Sequence, residues 1–220
     1  MSQRLFLSGG KGGLALIIAQ FFIDQGWLVD APSHNELDVS DAQAIKQWFS
    51  ARPAYHCAVC TAGITADKVF LRLSPEDWSR VTSVNLKGAA WCACEVAKKM
   101  KMQQIAGSIM LIGSYAGIHP KAGQCAYATS KAALDGLMKS LALEWGHDDI
   151  RINLVLPGFM ETAMTEVLTH DICQKSLIQH ALGQFNTPYQ VAQFIYFLHH
   201  HLPFTSGQSF SLDSRILNRA

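Results

Sequence analysis

The sequence has 220 residues and a formal net charge of +1, so it lacks the positive charge needed to bind a nucleic-acid backbone electrostatically. Hydrophobic residues make up 49% and charged residues 16%, which is typical of a compact globular chain and not of a disordered one. The six cysteines show no disulfide-framework spacing, and Cys57-x-x-Cys60 has no second pair at zinc spacing, which predicts buried free thiols in a reducing compartment. With neither a signal peptide nor a run long enough to cross a bilayer, we expect a soluble cytoplasmic protein with residues 1–220 as a single domain.

The first motif is a glycine-rich turn between a short apolar run, 4–8, and a helical pattern, 14–25. A strand, a glycine turn and a helix in this order aim backbone N–H groups and a helix dipole at a phosphate. A triphosphatase loop would need Gly-Lys followed by Ser or Thr, but glycines and then Leu14 follow Lys11. The pattern Gly9-x-x-x-Gly13-x-Ala15 therefore favours a dinucleotide turn, although a purely structural glycine turn would have the same spacing.

The second predicted strand, 27–30, is followed by the place where a dinucleotide-binding unit often carries an acid for the adenosine ribose. Counted from Ala15, that place is taken by Ser33. Lys11 in the turn and His34 after the strand would meet a 2′-phosphate, which favours NADP over NAD. A lysine that is merely solvated in its loop would fit the sequence equally well.

A further strand-like stretch, 36–41, follows almost at once and leaves no room for a full helix. This predicts that the second crossover of the sheet is shortened. Ser40 or Asp41 then caps a helix that runs through Phe49. Asp38 is placed to hydrogen-bond an adenine amino group, or is one more polar residue at a strand end.

The rest of the chain alternates between apolar runs and helical patterns. Strands are predicted at 55–60, 107–112, 150–156 and 210–213, and helices from Ser74-Pro75, over 89–102, from Tyr127 and over 188–200. Such alternation, with strands that are apolar throughout, predicts the α/β class: a single-domain, doubly wound parallel sheet of the Rossmann type.

Two further stretches have functional interpretations. Residues 161–184 are polar with scattered apolar positions and are expected to form a lid over the site. The run His199–His201 ends the last predicted helix. It fits a cap facing the helix dipole, or a tolerated surface run, better than a metal site.

Tyr127 and Lys131 lie four residues apart at the start of an apolar-periodic segment, so a helix would place them on one face. An ammonium beside a phenol favours the phenolate, which predicts a tyrosine of lowered pKa able to exchange a proton near neutral pH. Taken alone, this spacing recurs by chance in helices that carry a packed tyrosine and an exposed lysine.

Together these features resemble the short-chain dehydrogenase/reductase family over essentially the whole chain. The motifs that carry the resemblance are Gly9-x-x-x-Gly13-x-Ala15, Thr61-Ala62-Gly63, Pro157-Gly158 and the ordered set Asn85, Ser114, Tyr127 and Lys131. Within the family the strongest likeness is to β-ketoacyl-acyl-carrier-protein reductases, through residues 62–67, 76–78, 84–88 and 153–165.

The resemblance implies NAD(P)H-dependent reduction of a ketone, in particular a 3-oxoacyl thioester of fatty acid biosynthesis, or the reverse reaction. Tyr127 would protonate the developing alkoxide, and Lys131 would lower the tyrosine pKa and bind the nicotinamide ribose. Ser114 would orient the carbonyl oxygen, an oxyanion-type role. Asn85 would hold a water that passes protons towards Lys131.

The coenzyme, NADP or NAD, is expected to contact residues from five regions of the chain, without a metal. These residues are Ser8, Gly9, Lys11, Gly13, Leu14, Ser33, Asp38, Val39, Thr61, Ala62, Gly63, Tyr127, Lys131, Pro157, Gly158 and Thr162. Thr61 stands where the family has an asparagine that supports the glycine turn. That departure leaves open a non-catalytic cofactor-binding subunit, besides an NAD-dependent alcohol dehydrogenase.

The resemblance also bears on partners. Family members pair through the helices that begin near Asn85 and Tyr127, which implies a homodimer or homotetramer with Trp91 and Leu137 in the contact. The arginines with which such reductases dock an acyl carrier protein align with Ile105 and Asp148. Carrier docking therefore stays open, with a lysine cluster as a substitute patch: Lys98, Lys99 and Lys101.

Overall fold

The structure is a computed structural model that describes residues 2–160 and 170–215. Six parallel strands form one sheet in the order β2-β1-β3-β4-β5-β6. The strands are β1 (Arg4–Ser8), β2 (Leu28–Asp30), β3 (Cys57–Cys60), β4 (Ser108–Ile112), β5 (Arg151–Leu156) and β6 (Ser209–Ser211). The predicted parallel sheet of the α/β class is confirmed.

Helices connect the strands and lie on both faces of the sheet. They are α1 (Gly13–Asp24), α2 (Ala42–Ser50), α3 (Pro75–Thr82), α4 (Ala89–Met102), α5 (Cys125–Trp145), α6 (His170–Leu177) and α7 (Pro188–His201). Capping residues set several of the starts: Asp41 accepts from the Gln43 and Ala44 N–H groups, and Ser74 accepts from Asp77. Among the described helices, none is long and apolar enough to cross a membrane.

Alternate strand residues feed two hydrophobic cores, because successive side chains of a strand point to opposite faces. In β1, Phe6 packs with α2, α4 and α5 on one face, whereas Leu5 and Leu7 pack with α1 and α7 on the other. Ala15 of α1 is 1% exposed within the second core. A small third residue in the glycine turn therefore lets the helix approach the sheet.

The sheet order places a topological switch point between β1 and β3. From β1 the chain passes through α1 to β2 at one edge, and then returns through α2 to β3 on the other side of β1. In open parallel sheets, ligands bind outside the carboxyl ends of the strands at such a point. The residues that follow β1, β3, β4 and β5 are therefore brought to one edge.

The strand predicted at 36–41 is wrong. Residues 31–41 form turns and irregular chain, because the Glu36 carboxylate accepts hydrogen bonds from Ser33 and the Asp38 carboxylate accepts them from Ser40. Leu37 and Val39 are still buried in the core with α2 and α4. The alternating pattern thus came from burial without strand pairing, and residues 31–41 contain no helix, as the predicted shortening of the second crossover requires.

Two smaller predictions also need correction. His199 is 7% exposed, and its Nδ1 lies 2.6 Å from the Ser108 hydroxyl, so it belongs to neither a surface run nor a cap. The carbonyls at the end of α7 are bound instead by the Arg151 guanidinium.

All six cysteines are free, as predicted, but only Cys57, Cys60 and Cys92 are buried, and Cys125 is exposed.

Candidate active site

The glycine turn after β1 has the geometry of an anion-binding loop. Gly9 has φ +70°, and a Cβ there would lie 2.9 Å from the Ala62 Cα, so only glycine fits. The Gly12 N–H donates to the Gly9 carbonyl (2.9 Å), and α1 begins at Gly13. This helix, described in full, has no side-chain cap and no acidic residue in its first turn. Its N-terminal N–H groups therefore suit a pyrophosphate, the group that a dinucleotide would place there.

The turn is tethered to the neighbouring strand by the residue that departs from the family pattern. The Thr61 hydroxyl donates a hydrogen bond to the Ser8 carbonyl, and the Ala62 N–H donates to the Ser8 Oγ (3.1 Å). Both contacts join the carboxyl ends of β1 and β3. A threonine thus supplies the support expected of an asparagine.

At the end of β2, the structure reveals a carboxylate that the sequence analysis missed. Ser33 is 5% exposed, and its N–H and hydroxyl both donate to the Glu36 Oε2, at 2.8 and 2.7 Å. These hydrogen bonds, with the nearby charge of Lys11, lower the pKa of Glu36. Asp30, by contrast, is held by Arg4 (3.0 Å) and by Tyr55 (2.8 Å). The only signal for Glu36 was its position three residues after Ser33, where a serine–acid turn is common.

The predicted adenine-side residues lie next along the chain. Burial raises the pKa of Asp38, but hydrogen bonds from the Ser40 hydroxyl and N–H outweigh it and leave the pKa lowered. Val39 is buried against Gly88, where a Cβ would lie 2.8 Å from the Val39 Cγ2. Leu14 is partly buried and packs against the core formed with α1 and α7.

Asn85 lies in a π-helical turn, Ser83–Gly88, that joins α3 to α4. Its side chain is fully buried, with Oδ1 accepting from the Ile64 N–H (2.8 Å) and Nδ2 donating to the Ile64 carbonyl (3.0 Å). Nδ2 also donates to the Ser130 hydroxyl (3.0 Å), which in turn donates to the Tyr127 carbonyl (2.7 Å). The Asn85 side chain therefore clamps the loop after β3 to α5. Ser130, between the two predicted residues of α5, was missed because its role depends on this distant partner.

Lys131 reaches from α5 to the end of β4. The side chain is almost fully buried, and its Nζ donates to the Ile112 carbonyl at 2.7 Å and lies 5.8 Å from the Tyr127 ring centroid. Burial lowers the pKa of Lys131 to about 8, although the nearby Cys60 opposes this. A Cβ on Gly63 would lie 3.5 Å from both this Nζ and the Asn85 Oδ1, so the loop after β3 borders the same place.

Ser114 and Tyr127 bring two hydroxyl groups together beside Lys131. Ser114 follows β4 in extended conformation, and its Oγ accepts from the Ala116 N–H (3.2 Å). The predicted lowering of the Tyr127 pKa is wrong in this structure. Burial raises that pKa, and the hydrogen bond with Ser114, which lowers it, does not compensate. Asp67, which accepts from Gln124 (3.0 Å), raises it further and is another neighbour that the sequence analysis missed.

The loop after β5 lies at the same edge of the sheet as the loop after β4, because the two strands are parallel neighbours. Gly158 has φ +81°, and the Pro157 carbonyl accepts from the Asn186 Nδ2 (3.2 Å). Thr162 lies outside the described residues, as does the first part of the predicted lid. Of residues 161–184, the described part begins with α6.

Charges elsewhere bear on partners and metals. The lysines proposed as a carrier patch all have partners: Lys98 pairs with Glu95 (2.6 Å), Lys101 with Asp148 (2.8 Å), and Lys99 donates to the Arg52 carbonyl. Within 2–160 and 170–215, no group of three or more His, Cys, Asp or Glu side chains is placed to hold a metal ion.

Comparison with known sequences gives consistent relatives. The family model described as "Enoyl-(Acyl carrier protein) reductase" matches residues 19–214. The chain is 44% identical over 156 residues to a 3-oxoacyl-[acyl-carrier-protein] reductase of Aquifex aeolicus, covering 71% of this chain and 62% of that protein. It is 38% identical to the Thermotoga maritima protein of the same name, covering 72% and 65%. These two alignments thus span somewhat less than two thirds of the relatives. Carbonyl reductase family member 4 of Xenopus laevis is 36% identical over 222 residues, covering 90% and 91%.

Among solved structures, the chain resembles "4-hydroxyisoleucine dehydrogenase complexed with NADH" with a TM-score of 0.92 at 25% identity. The superposition covers 97% of this chain and 98% of that one. The sheet and helices described above therefore occur in a protein that binds a nicotinamide coenzyme.

Proposed function

This chain belongs to the short-chain dehydrogenase/reductase family, and we propose that it is a cytoplasmic ketoreductase dependent on NADPH or NADH. Its substrate is the ketone of a 3-oxoacyl thioester, which it reduces to the 3-hydroxyacyl thioester. The observation that carries the proposal is the meeting of Ser114, Tyr127 and Lys131 at the carboxyl end of β4.

The chemistry assigns a separate task to each hydroxyl. A bound reduced nicotinamide supplies the hydride. Ser114 donates a hydrogen bond to the substrate carbonyl oxygen, which polarises it and stabilises the charge that develops there. Tyr127 gives that oxygen its proton. Burial raises the tyrosine pKa, so the phenol stays protonated at neutral pH, as a proton donor must.

Lys131 provides the charge that balances the proton transfer. Below its pKa of about 8 the side chain is cationic, and a cation near the phenol stabilises the phenolate left after the proton departs. Asn85 and Ser130 fix the helix turn that carries both residues. We also propose that a water held near Asn85 passes protons towards Lys131.

The coenzyme would be held along the switch point of the sheet. Its pyrophosphate would face the N–H groups at the start of α1, its adenosine the turn with Ser33 and Asp38, and its nicotinamide the Pro157-Gly158 loop. Lys11 favours a 2′-phosphate, whereas Glu36 favours a free ribose 2′-hydroxyl, so both coenzymes belong in the test.

The proposed substrate class rests on what several relatives share. Besides the 3-oxoacyl reductases, an acetoacetyl-CoA reductase of Synechocystis is 39% identical over 163 residues, and a (3R)-3-hydroxyacyl-CoA dehydrogenase of Homo sapiens is 36% identical over 170. These names differ in the thioester carrier but share a 3-oxo or 3-hydroxyacyl group. We therefore propose that the protein recognises the acyl part of the substrate. The lysines of α4, which already have partners within the chain, have no role in this recognition.

A second candidate is the reverse reaction, oxidation of an alcohol with NAD. The names of the human relative and of the structural neighbour, both dehydrogenases, favour it. The same residues would act with Tyr127 as proton acceptor. Its raised pKa makes the phenolate scarce at neutral pH and so favours reduction over oxidation.

We also propose a homodimer or homotetramer, paired through α4 and α5. Trp91 on α4 is 50% exposed, and Leu137 on α5 is partly buried against the core. Sedimentation equilibrium of the protein and of Trp91→Glu tests this pairing. A wild-type protein that sediments as a monomer would contradict it.

The test of function begins with binding and then adds substrate. NADPH or NADH is mixed with the protein, energy transfer from tryptophan to nicotinamide is recorded, and acetoacetyl-CoA is then added. We expect energy transfer with at least one coenzyme, followed by its oxidation at 340 nm. Binding without oxidation across a panel of 3-oxoacyl thioesters and ketones would instead support a non-catalytic cofactor-binding subunit.

A further inference from the structure

A buried ion pair follows the last strand, close to the proposed site. The Arg215 guanidinium donates to the Asp213 Oδ2 through Nε (2.8 Å) and through Nη2, and the Arg215 N–H donates to the Asp213 Oδ1 (2.9 Å). The Asp213 side chain is fully buried, and that of Arg215 is 5% exposed.

One end of the pair contacts the loop that carries Ser114. The Arg215 guanidinium carbon lies 3.4 Å from the ring centroid of Tyr115, in the stacked position that a planar guanidinium adopts on an aromatic face. Tyr115 directly follows Ser114 and begins the short 3₁₀ turn Tyr115–Gly117, which Ser114 caps. Whatever fixes this ring therefore fixes the backbone that aims the Ser114 hydroxyl.

The other end contacts the loop after β5. A Cβ on Gly158 would lie 2.8 Å from the Asp213 Oδ2, so the carboxylate sits directly against this glycine. The Leu212 carbonyl, next to Asp213, accepts from the same Asn186 amide that binds the Pro157 carbonyl, at 3.1 Å. The ion pair thus spans from the serine loop to the loop assigned to the nicotinamide.

The charges of the cluster indicate what it does. Burial lowers the pKa of His180, whose Nδ1 lies 3.3 Å from the Asp213 Oδ1, so this histidine is neutral at pH 7. Burial raises the pKa of Asp213, but the hydrogen bonds from Arg215 outweigh it, and the carboxylate stays ionised. One positive and one negative charge cancel, so the cluster has no excess charge for an anionic ligand. It is suited to holding two loops at a fixed separation.

We infer that Asp213 and Arg215 are positioning residues for the proposed reaction. Arg215 acts through Tyr115 on Ser114, and Asp213 acts through Gly158 on the nicotinamide loop. This inference rests on the proposed function of the same site. It predicts that the two residues affect different steps. Arg215 orients the Ser114 hydroxyl, which binds the substrate, whereas Asp213 positions the loop that binds the coenzyme.

A double-mutant cycle tests the first half. Arg215→Lys keeps the charge opposite Asp213 but removes the planar group that stacks on Tyr115, and we expect kcat with acetoacetyl-CoA to fall about tenfold or more with the Kd for coenzyme unchanged. Tyr115→Leu should have a similar effect. Because the guanidinium plane acts on Ser114 through that ring, the double variant should match Tyr115→Leu alone. Arg80→Lys, a change at an exposed arginine paired with Asp77, is the matched control and should retain wild-type kcat.

Other outcomes would overturn this half of the inference. They are a folded Arg215→Lys protein, by circular dichroism, with kcat within twofold of wild type, or losses that multiply in the double variant. If Arg215→Lys does not fold, Tyr115→Leu decides, and a kcat within twofold of wild type in that variant would equally overturn this half.

The second half has a readout that needs no turnover. Asp213→Asn removes the charge held against Gly158, and we expect the coenzyme Kd, from energy transfer, to rise about tenfold. An unchanged Kd would overturn it. If the wild-type protein binds coenzyme but turns over no substrate, the proposed function fails, whereas this binding measurement still decides the role of Asp213.

Discussion

Lys131 is the residue whose charge sets the pH range of the proposed chemistry. Burial lowers its pKa to about 8, so the cation predominates at pH 7 and is lost as the pH rises through 8. The Tyr127 pKa is raised, so the phenol does not lose its proton in that range. We expect kcat/KM for the coenzyme, which reports groups of the free enzyme, to fall as the pH rises above about 8. Initial rates between pH 6 and 10 measure this.

Lys131→Arg is the control for that profile, because arginine keeps its charge throughout the range. If the variant folds and turns over, its alkaline limb should move to higher pH. A wild-type profile that stays flat to pH 10 would show that the charge of Lys131 is not needed, or that burial does not lower its pKa.

We propose that Lys11 and Glu36 decide the coenzyme preference. Lys11→Ala removes a cation that would meet a 2′-phosphate, so the KM for NADPH should rise while that for NADH does not. Glu36→Gln removes a carboxylate that would accept from a ribose hydroxyl, and the KM for NADH should rise about tenfold, the size of a lost charge-assisted hydrogen bond. Steady-state kinetics with both coenzymes measure the two effects.

Lys46→Ala, at an exposed position of α2, is the control for charge alone and should change neither KM. If the Lys11 and Glu36 variants raise the KM for both coenzymes equally, the adenosine binds elsewhere.

At the scale of elements, prediction succeeded where a local signal sets the boundary. Ser74-Pro75 and Asp41 mark helix starts because a capping side chain binds N–H groups only two or three residues away. The prediction of a strand at 36–41 was wrong because local contacts of a different kind act in this stretch. Its serine and acidic side chains bind nearby groups and turn the chain, while Leu37 and Val39 keep the alternating burial of a strand.

The end of α7 was mispredicted because its partner is remote. His199 lies beside Ser108, which is 91 residues away in the chain, and in T-shaped contact with Trp27, with ring centroids 5.1 Å apart. A run of three histidines at a helix end carries no local signal that one of them is buried. Only the packing of α7 under the sheet reveals it.

This burial predicts that acid weakens the fold. Burial lowers the pKa of His199 to about 3, whereas the unfolded chain binds the proton near pH 6.5. Between these values the unfolded state holds more protons, so the free energy of unfolding falls as the pH falls below 6.5. The slope from one such group is about 1.4 kcal/mol per pH unit. Urea unfolding at pH 7.0 and 4.5 measures the change.

His199→Asn, compared at the same two pH values, isolates this histidine from the others. The variant should be less stable at pH 7 but less sensitive to acid. An equal loss of stability on acidification in both proteins would assign the effect to other groups.

For the whole molecule, sequence order and sheet topology together explain why the residues of the candidate site could be expected to lie together. The motifs after β1, β3, β4 and β5 are distant in the chain, but a parallel sheet brings their carboxyl ends to one edge. What could not be predicted are the tethers between those ends. Thr61 to Ser8, Asn85 to Ser130 and Arg215 to Tyr115 each join segments far apart in sequence.

The same long-range packing reversed one chemical expectation. Spacing on a helix predicted that Lys131 would lower the pKa of Tyr127. In the fold, the Lys131 Nζ binds the Ile112 carbonyl and burial raises the tyrosine pKa. The burial of both groups, which no local pattern encodes, thus outweighs their proximity, and the phenol stays protonated at neutral pH, as the proposed proton donor must.

Tyr127→Phe tests whether the Tyr127 hydroxyl is the proton donor of the reaction. The variant keeps the ring and removes only the hydroxyl, so coenzyme binding by energy transfer and the melting temperature should stay close to those of the wild type. We expect kcat with acetoacetyl-CoA to fall by a factor of about 10² to 10⁴, the usual contribution of a positioned proton donor. A Tyr127→Phe protein with wild-type kcat would contradict it.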